Sequence, residues 1–156
     1  MSTWTTNNTL YSGEIEKHLA SYRYFVGVFA RDRLPKKVKR PCGGIINLDN
    51  HDEPGSHWVA FFLDDGCFTE YFDPLGSAPV FKEINAFLKK YSPLGISFNN
   101  LPLQGDKSTS CGHFCIYFLQ KRFKGHSFCQ VLADLSLNNI VNDFIVKQPQ
   151  NGYHKT

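Results

Sequence analysis

Four residues in this chain have side chains suited to acyl transfer, and they occur in the order His57, Asp73, Gln104, Cys111. A cysteine thiolate attacks a carbonyl carbon, and a histidine takes the thiol proton and later gives it to a leaving amine. A carboxylate holds the imidazole in one tautomer and stabilises its charged form. The Gln104 side-chain amide and the Cys111 backbone N–H are donors of the kind that receive a developing oxyanion. Losing one such donor costs ~10²–10³ in rate in a related chemistry. Each residue also has a plainer reading. His57 would be a strand-end histidine bonded into the core, Asp73 the brace of an Asp-Pro turn, Gln104 a surface amide and Cys111 a buried thiol. Their placement is what argues for chemistry.

That placement comes from the elements around them. From Cys111 onward, Cys111, Phe114, Cys115, Phe118 and Leu119 recur at intervals of three and four, the spacing of one buried helix face. Ser108, Thr109 and Ser110 are helix-capping types, so the helix is predicted to begin at or just before Cys111. A cysteine there meets unpaired backbone N–H groups and the positive end of the helix dipole, both of which favour thiolate. Gly112 leaves room for a substrate backbone beside the sulfur. Cys115, one turn later on the same face, reads as core. His57 opens the apolar strand ending at Leu63, and Asp73 ends the strand 67–72, predicted to be its hairpin partner. A further strand, 96–103, delivers Gln104. Adjacent strand ends would set His57 beside Asp73, with the helix N-terminus facing both.

The remaining segments complete one α+β domain over 1–156, with 1–12 and 147–156 expected to be loose. A short helix is predicted over 13–22 with Ile15 and Leu19 inward, then strands over 24–30 and 42–48. An amphipathic helix over 80–91 carries Val80, Ile84, Phe87, Leu88 and Tyr91 on one face, and 127–146 fits one or two closing helices broken near Asn138. Between the first two strands lies a basic loop with Arg31, Arg33, Lys36, Lys37, Lys39 and Arg40. It resembles a nuclear localisation signal or a holder of nucleic-acid phosphates, against the plainer reading of a solvated loop.

With 14 Phe, 7 Tyr and 2 Trp, the chain has the apolar bulk for a folded core without metal or disulfide staples. Its five cysteines show no metal-ligand spacing, which argues for free thiols in a reducing compartment and for no metal. The start of the chain lacks the pattern of a signal peptide, and no apolar run approaches membrane-spanning length, so neither secretion nor membrane insertion is expected. A net charge of +3 is too mild to imply nucleic-acid binding by itself.

The stretches GSHWVAFFL, EYFDPLG and LQGDKSTSCGHFCIYFL resemble the adenovirus-type maturation protease (adenain), in the clan that also holds the SUMO- and ubiquitin-like-specific proteases. The His-Trp pair, the Asp-Pro-x-Gly turn and the Gln-x6-Cys-Gly interval carry the likeness. EIEKHLASYRYFVGVFARDRLP and CGGIINLDNHDEPGSHW extend it upstream and favour the adenain branch. The resemblance covers roughly Glu14 to Lys121. It implies a papain-like core with rearranged chain order, in which a mixed sheet packs against the helix bearing the nucleophile. His57, Asp73, Gln104 and Cys111 would be the catalytic set. It also implies cleavage after glycine-containing motifs, in a narrow channel for which Trp58 is the expected aromatic roof, and substrates that are viral precursor proteins. The expected setting is the host nucleus and virion, or the cytoplasm.

Three departures stand out. The acid is Asp73 where many adenoviral enzymes have Glu, and the segment from Asp73 to Gln104 is shorter. Tyr91 to Leu103 also holds no cysteine, so an activating peptide would not be disulfide-linked there, whereas DNA remains an activator through the basic loop. The rival readings are a deubiquitinating or deSUMOylating protease of the same clan, and a cofactor-dependent or inactive binding module.

Overall fold

The computed structural model describes residues 11–53, 56–66, 68–105, 109–135 and 138–148. Chain order is α1 (Ser12–Leu19), β1 (Phe25–Ala30), β2 (Cys42–Asn47), β3 (Trp58–Leu63), β4 (Thr69–Phe72), α2 (Lys82–Tyr91), β5 (Ile96–Phe98), α3 (Cys111–Phe123), α4 (Phe128–Ala133) and α5 (Asn139–Lys147). The strands form one mixed sheet in sequence order, with β1–β2 and β4–β5 parallel and β2–β3–β4 antiparallel. Each parallel pair is joined by a crossover and each antiparallel pair by a shorter return, as strand geometry requires.

β2, β3 and β4 are buried at every position, as expected of strands covered on both faces. One face meets α1, α3 and the closing helices through a cluster that includes Ile15, Leu19, Ile45, Phe72, Phe114 and Phe118. The other meets α2 through Ile46, Phe61, Tyr71, Ile84, Phe87 and Leu88. Helix α3 is the centre, with every residue from Cys111 to Leu119 buried. Its far end is clamped to β4. Arg122 donates to both oxygens of Glu70, at 2.8 and 3.0 Å, and its guanidinium lies 4.2 Å from the Phe62 ring centroid. Gly43 lets α3 approach β2 closely, since a Cβ there would sit 2.8 Å from Leu119 and 3.1 Å from Phe123.

The expected elements are present, with five corrections. Helix α1 starts at Ser12, inside the segment expected to be loose, and Lys147 closes α5 rather than opening a frayed tail. Strand β5 stops at Phe98, not Leu103, because the Asn99 side chain takes over the pairing and Pro102 follows. Val80 precedes α2 and is exposed rather than part of its buried face. Ile140, Val141 and Phe144 point outward on α5, whose inward residues are Asn142 and Val146. The expected strand start at Cys67 and the polar stretch 106–108 lie outside the described residues, as do 1–10 and 149–156. The four described cysteines, Cys42, Cys111, Cys115 and Cys129, are all free. No helix among the described residues is long and apolar enough to cross a membrane.

Candidate active site

His57 immediately precedes β3. Its carbonyl accepts from the Leu48 N–H at 2.9 Å, which carries the β2–β3 ladder one residue past the strand. Asp73 immediately follows β4. The antiparallel register therefore brings both side chains to the same end of the sheet. His57 Nε2 lies 2.7 Å from Asp73 Oδ1, and the carboxylate is buried. Asp73 Oδ1 also accepts from the Leu75 N–H at 2.8 Å, an Asx turn that fixes its rotamer. With Nε2 committed to the acid, Nδ1 is the ring nitrogen left for the thiol. The Cys111 thiol acts on the His57 ring together with Asp73.

Burial works against charge on His57, but the hydrogen bonds and charges of Asp73 and Cys111 outweigh it. The net effect raises the imidazole from 6.5 to about 9. At neutral pH the ring is therefore an imidazolium, the partner a thiolate nucleophile needs. His113, two residues beyond Cys111, does not compete for this role. Desolvation, then Lys147 and His18, push it down to about 4, and it stays neutral in the interior. Burial holds the other two buried thiols in their neutral form, raising Cys42 to about 11 and Cys115 well above its usual value. Cys115 is core, as its place on the helix suggested.

Cys111 is the first residue of α3, where the capping pattern put it, although the Ser110 side chain makes no capping hydrogen bond. Gly112 is buried beside it. Gln104 is buried too, and its backbone is tied to the acid's turn. The N–H groups of Leu103 and Gln104 share the Pro74 carbonyl, at 2.8 and 3.1 Å. Gly76, at φ +78°, is pressed against the same segment, and a Cβ there would fall 2.5 Å from the Leu101 carbonyl carbon. Trp58 is 7% exposed and packs in the cluster that contains Cys111, so its body is core.

The basic loop divides. Arg31 donates to the Leu48 carbonyl and pairs with Glu83 at 3.1 Å, over the Phe81 ring. Arg40 donates to the carbonyls of Asp64, Tyr91 and Phe68 and pairs with Asp64. Arg33 contacts His51 at 2.9 Å. Arg31 and Arg40 hold the loop to the protein, whereas Arg33 is exposed. Lys36, Lys37 and Lys39 are exposed.

Sequence reasoning missed two asparagines, Asn99 and Asn142. Asn99 exchanges hydrogen bonds with the backbone of Asp73, and Asn142 donates to the Leu103 carbonyl. No periodicity marked Asn142, because the apolar positions of its helix read as the inward face and Asn142 falls outside them.

No protein-family model matches the chain. It is 29% identical over 112 residues to a cysteine protease of African swine fever virus, across 63% of this chain and 41% of that protein. It is 33% identical over 122 residues to the protease of human adenovirus A serotype 12, across 67% of this chain and 58% of that protein. The chain is a relative of the adenain-like viral cysteine proteases. It spans 41% of the length of the first curated relatives it matches. The adenain-like fold is also the one seen here. A crystal structure of an ASFV protease superposes with a TM-score of 0.63 at 18% identity, covering 94% of this chain and 70% of that one.

Proposed function

We propose that the chain is a cysteine peptidase in which Cys111 is the nucleophile, His57 the acid–base and Asp73 the group that orients it. One observation carries this reading: a His57–Asp73 pair at 2.7 Å with a buried acid, whose ring is influenced by the thiol at the first position of the central helix. In the reaction, the Cys111 thiolate adds to the scissile carbonyl carbon and the π pair moves onto oxygen. The Cys111 N–H and the Gln104 amide receive that oxyanion. The His57 imidazolium then gives its proton to the amine nitrogen as the C–N bond breaks, leaving a thioester on Cys111. Water adds to the thioester while neutral His57 takes its proton, and the tetrahedral intermediate expels the thiolate.

The substrate we assign is a viral precursor protein, cut at glycine-containing sites during particle maturation. Support comes from the viral origin of the relatives. Trp58 would roof the glycine channel with its exposed edge. Several swine fever virus relatives carry the name SUMO-1 cysteine protease, which favours a second reading, release of a ubiquitin-like C-terminus. The exposed Lys36, Lys37 and Lys39 support contact with DNA or nuclear import, and a basic peptide or DNA would raise the rate.

The test is intact-mass analysis after treatment with a Gly-Gly vinyl sulfone, followed by competition between an internal-glycine peptide and a SUMO fusion. Selective modification of Cys111 that disappears in His57→Ala supports the peptidase. Equal labelling of every thiol regardless of His57 would overturn it. Faster cleavage of the fusion would transfer the assignment to the second reading.

A further inference from the structure

The acid and the oxyanion donor arrive from different segments, and β4–β5 pairing ends at Tyr71 and Phe98, before reaching either. A side chain continues the ladder where the main chain leaves off. Asn99 Oδ1 accepts from the Asp73 N–H at 3.0 Å, and its Nδ2 donates to the Asp73 carbonyl at 2.6 Å. The same Nδ2 lies 3.4 Å from the Leu101 carbonyl, inside the segment that leads to Gln104. Asn99 is 4% exposed, so these groups have little access to water as a substitute. Behind this segment, the fully buried Asn142 of α5 donates from Nδ2 to the Leu103 carbonyl at 3.1 Å. Every residue from Leu101 to Gln104 is thereby tied, directly or through its neighbour, to the Asp73–Gly76 turn or to α5.

We propose that Asn99 is a positioning residue that fastens the backbone of Asp73 to the segment delivering Gln104, so that acid and oxyanion donor move as one body, and that Asn142 fixes the Gln104 side of that body. This rests on the peptidase reading. Asn99 need not touch substrate. A misplacement of about 1 Å at a reacting group can cost ~10² in rate, and without Asn99 the two bonds to the Pro74 carbonyl would be left to hold the acid's turn to the Gln104 segment.

The experiment is a double-mutant cycle on a reversible Gly-Gly peptide aldehyde, whose hemithioacetal oxygen occupies the oxyanion position. An NMR titration of the His57 ring, assigned with His57→Gln, accompanies it. Asn99→Ala is expected to weaken the aldehyde by about 10–10²-fold and to move the His57 midpoint down toward its ordinary value. The Asn99→Ala/Gln104→Ala double variant should be little weaker than the weaker single. Asn142→Ala should weaken the aldehyde and leave the His57 titration in place, because it touches only the Gln104 side. Asn99→Asp keeps the acceptor for the Asp73 N–H and loses the donor. It carries the same test if the alanine variant does not fold. Unchanged aldehyde binding and titration in the Asn99 variants, or additive losses in the cycle, would overturn the proposal. If wild-type Cys111 shows no His57-dependent reactivity, the peptidase reading is what fails.

Discussion

The structure contains a second histidine–carboxylate pair, and the two differ in their surroundings. His51 Nδ1 lies 2.6 Å from Asp32 Oδ2, as close as His57 lies to its acid. The ring is exposed, however, and its other nitrogen meets Arg33 rather than a thiol. A short His–Asp distance is common to both; the burial of the acid and the neighbouring thiol set the His57 pair apart. The interactions with Asp73 and Cys111 make His57 matter to folding as well. Its folded value of about 9 exceeds the unfolded 6.5, so the stabilisation is fully present below pH 6.5 and is lost as pH rises through 9. The ceiling is on the order of 3 kcal/mol, from a shift of that size. Wild type should lose Tm between pH 7 and 9.5 more steeply than His57→Gln, measured by calorimetry. Parallel curves for the two proteins would refute this assignment of charge.

At the scale of elements, the two close-packed glycines should fail differently. Gly43→Ala drives a methyl into Leu119 and Phe123 between β2 and α3, a core clash expected to cost about 1–3 kcal/mol. Gly76→Ala puts a side chain at positive φ and against the backbone of Leu101, so the acid's turn and the Gln104 segment must separate. For an equal loss of Tm, Gly76→Ala should lose far more turnover on a glycine peptide than Gly43→Ala. A proportional loss in both would show that the turn matters only to stability. The sequence made α3 legible because apolar period and capping residues agreed on one start, and it made the β3–β4 hairpin legible because a Gly turn separated two apolar runs. It did not reveal the end of β5, where a side-chain amide replaces the main chain, a substitution that leaves no periodicity. Nor did it orient α5. Spacing tells which residues share a face, but not what that face meets, so Ile140 and Phe144 read as core although they face outward.

Across the whole molecule, charge is sorted between holding the fold and meeting solvent. Arg40 reaches three backbone carbonyls across the gap between the basic loop, α2 and the β3–β4 turn, so Arg40→Ala should lower Tm. Lys36, Lys37 and Lys39 are exposed, and replacing all three with Gln should leave Tm within a degree or two while weakening binding to duplex DNA. If each neutralises one phosphate, the slope of log affinity against log salt should fall by about 3. An unchanged slope would remove the loop from any nucleic-acid role.

The hairpin that joins His57 to Asp73 also sets a timetable. Those two residues are 16 positions apart and are joined by a local antiparallel return, whereas Cys111 arrives only after α2 and β5 have been laid down and α3 has docked on β3. Contacts between neighbours in sequence close before distant ones. A refolding chain should therefore assemble its proton-handling pair early and arm its sulfur last. Pulsed alkylation during refolding would show enhanced Cys111 reactivity appearing only with the final phase; its appearance in an early phase would contradict this order. A chain built this way would keep its thiol mute while its own peptide bonds are exposed, and under the peptidase reading would become a cutting tool only once it is too well folded to be cut.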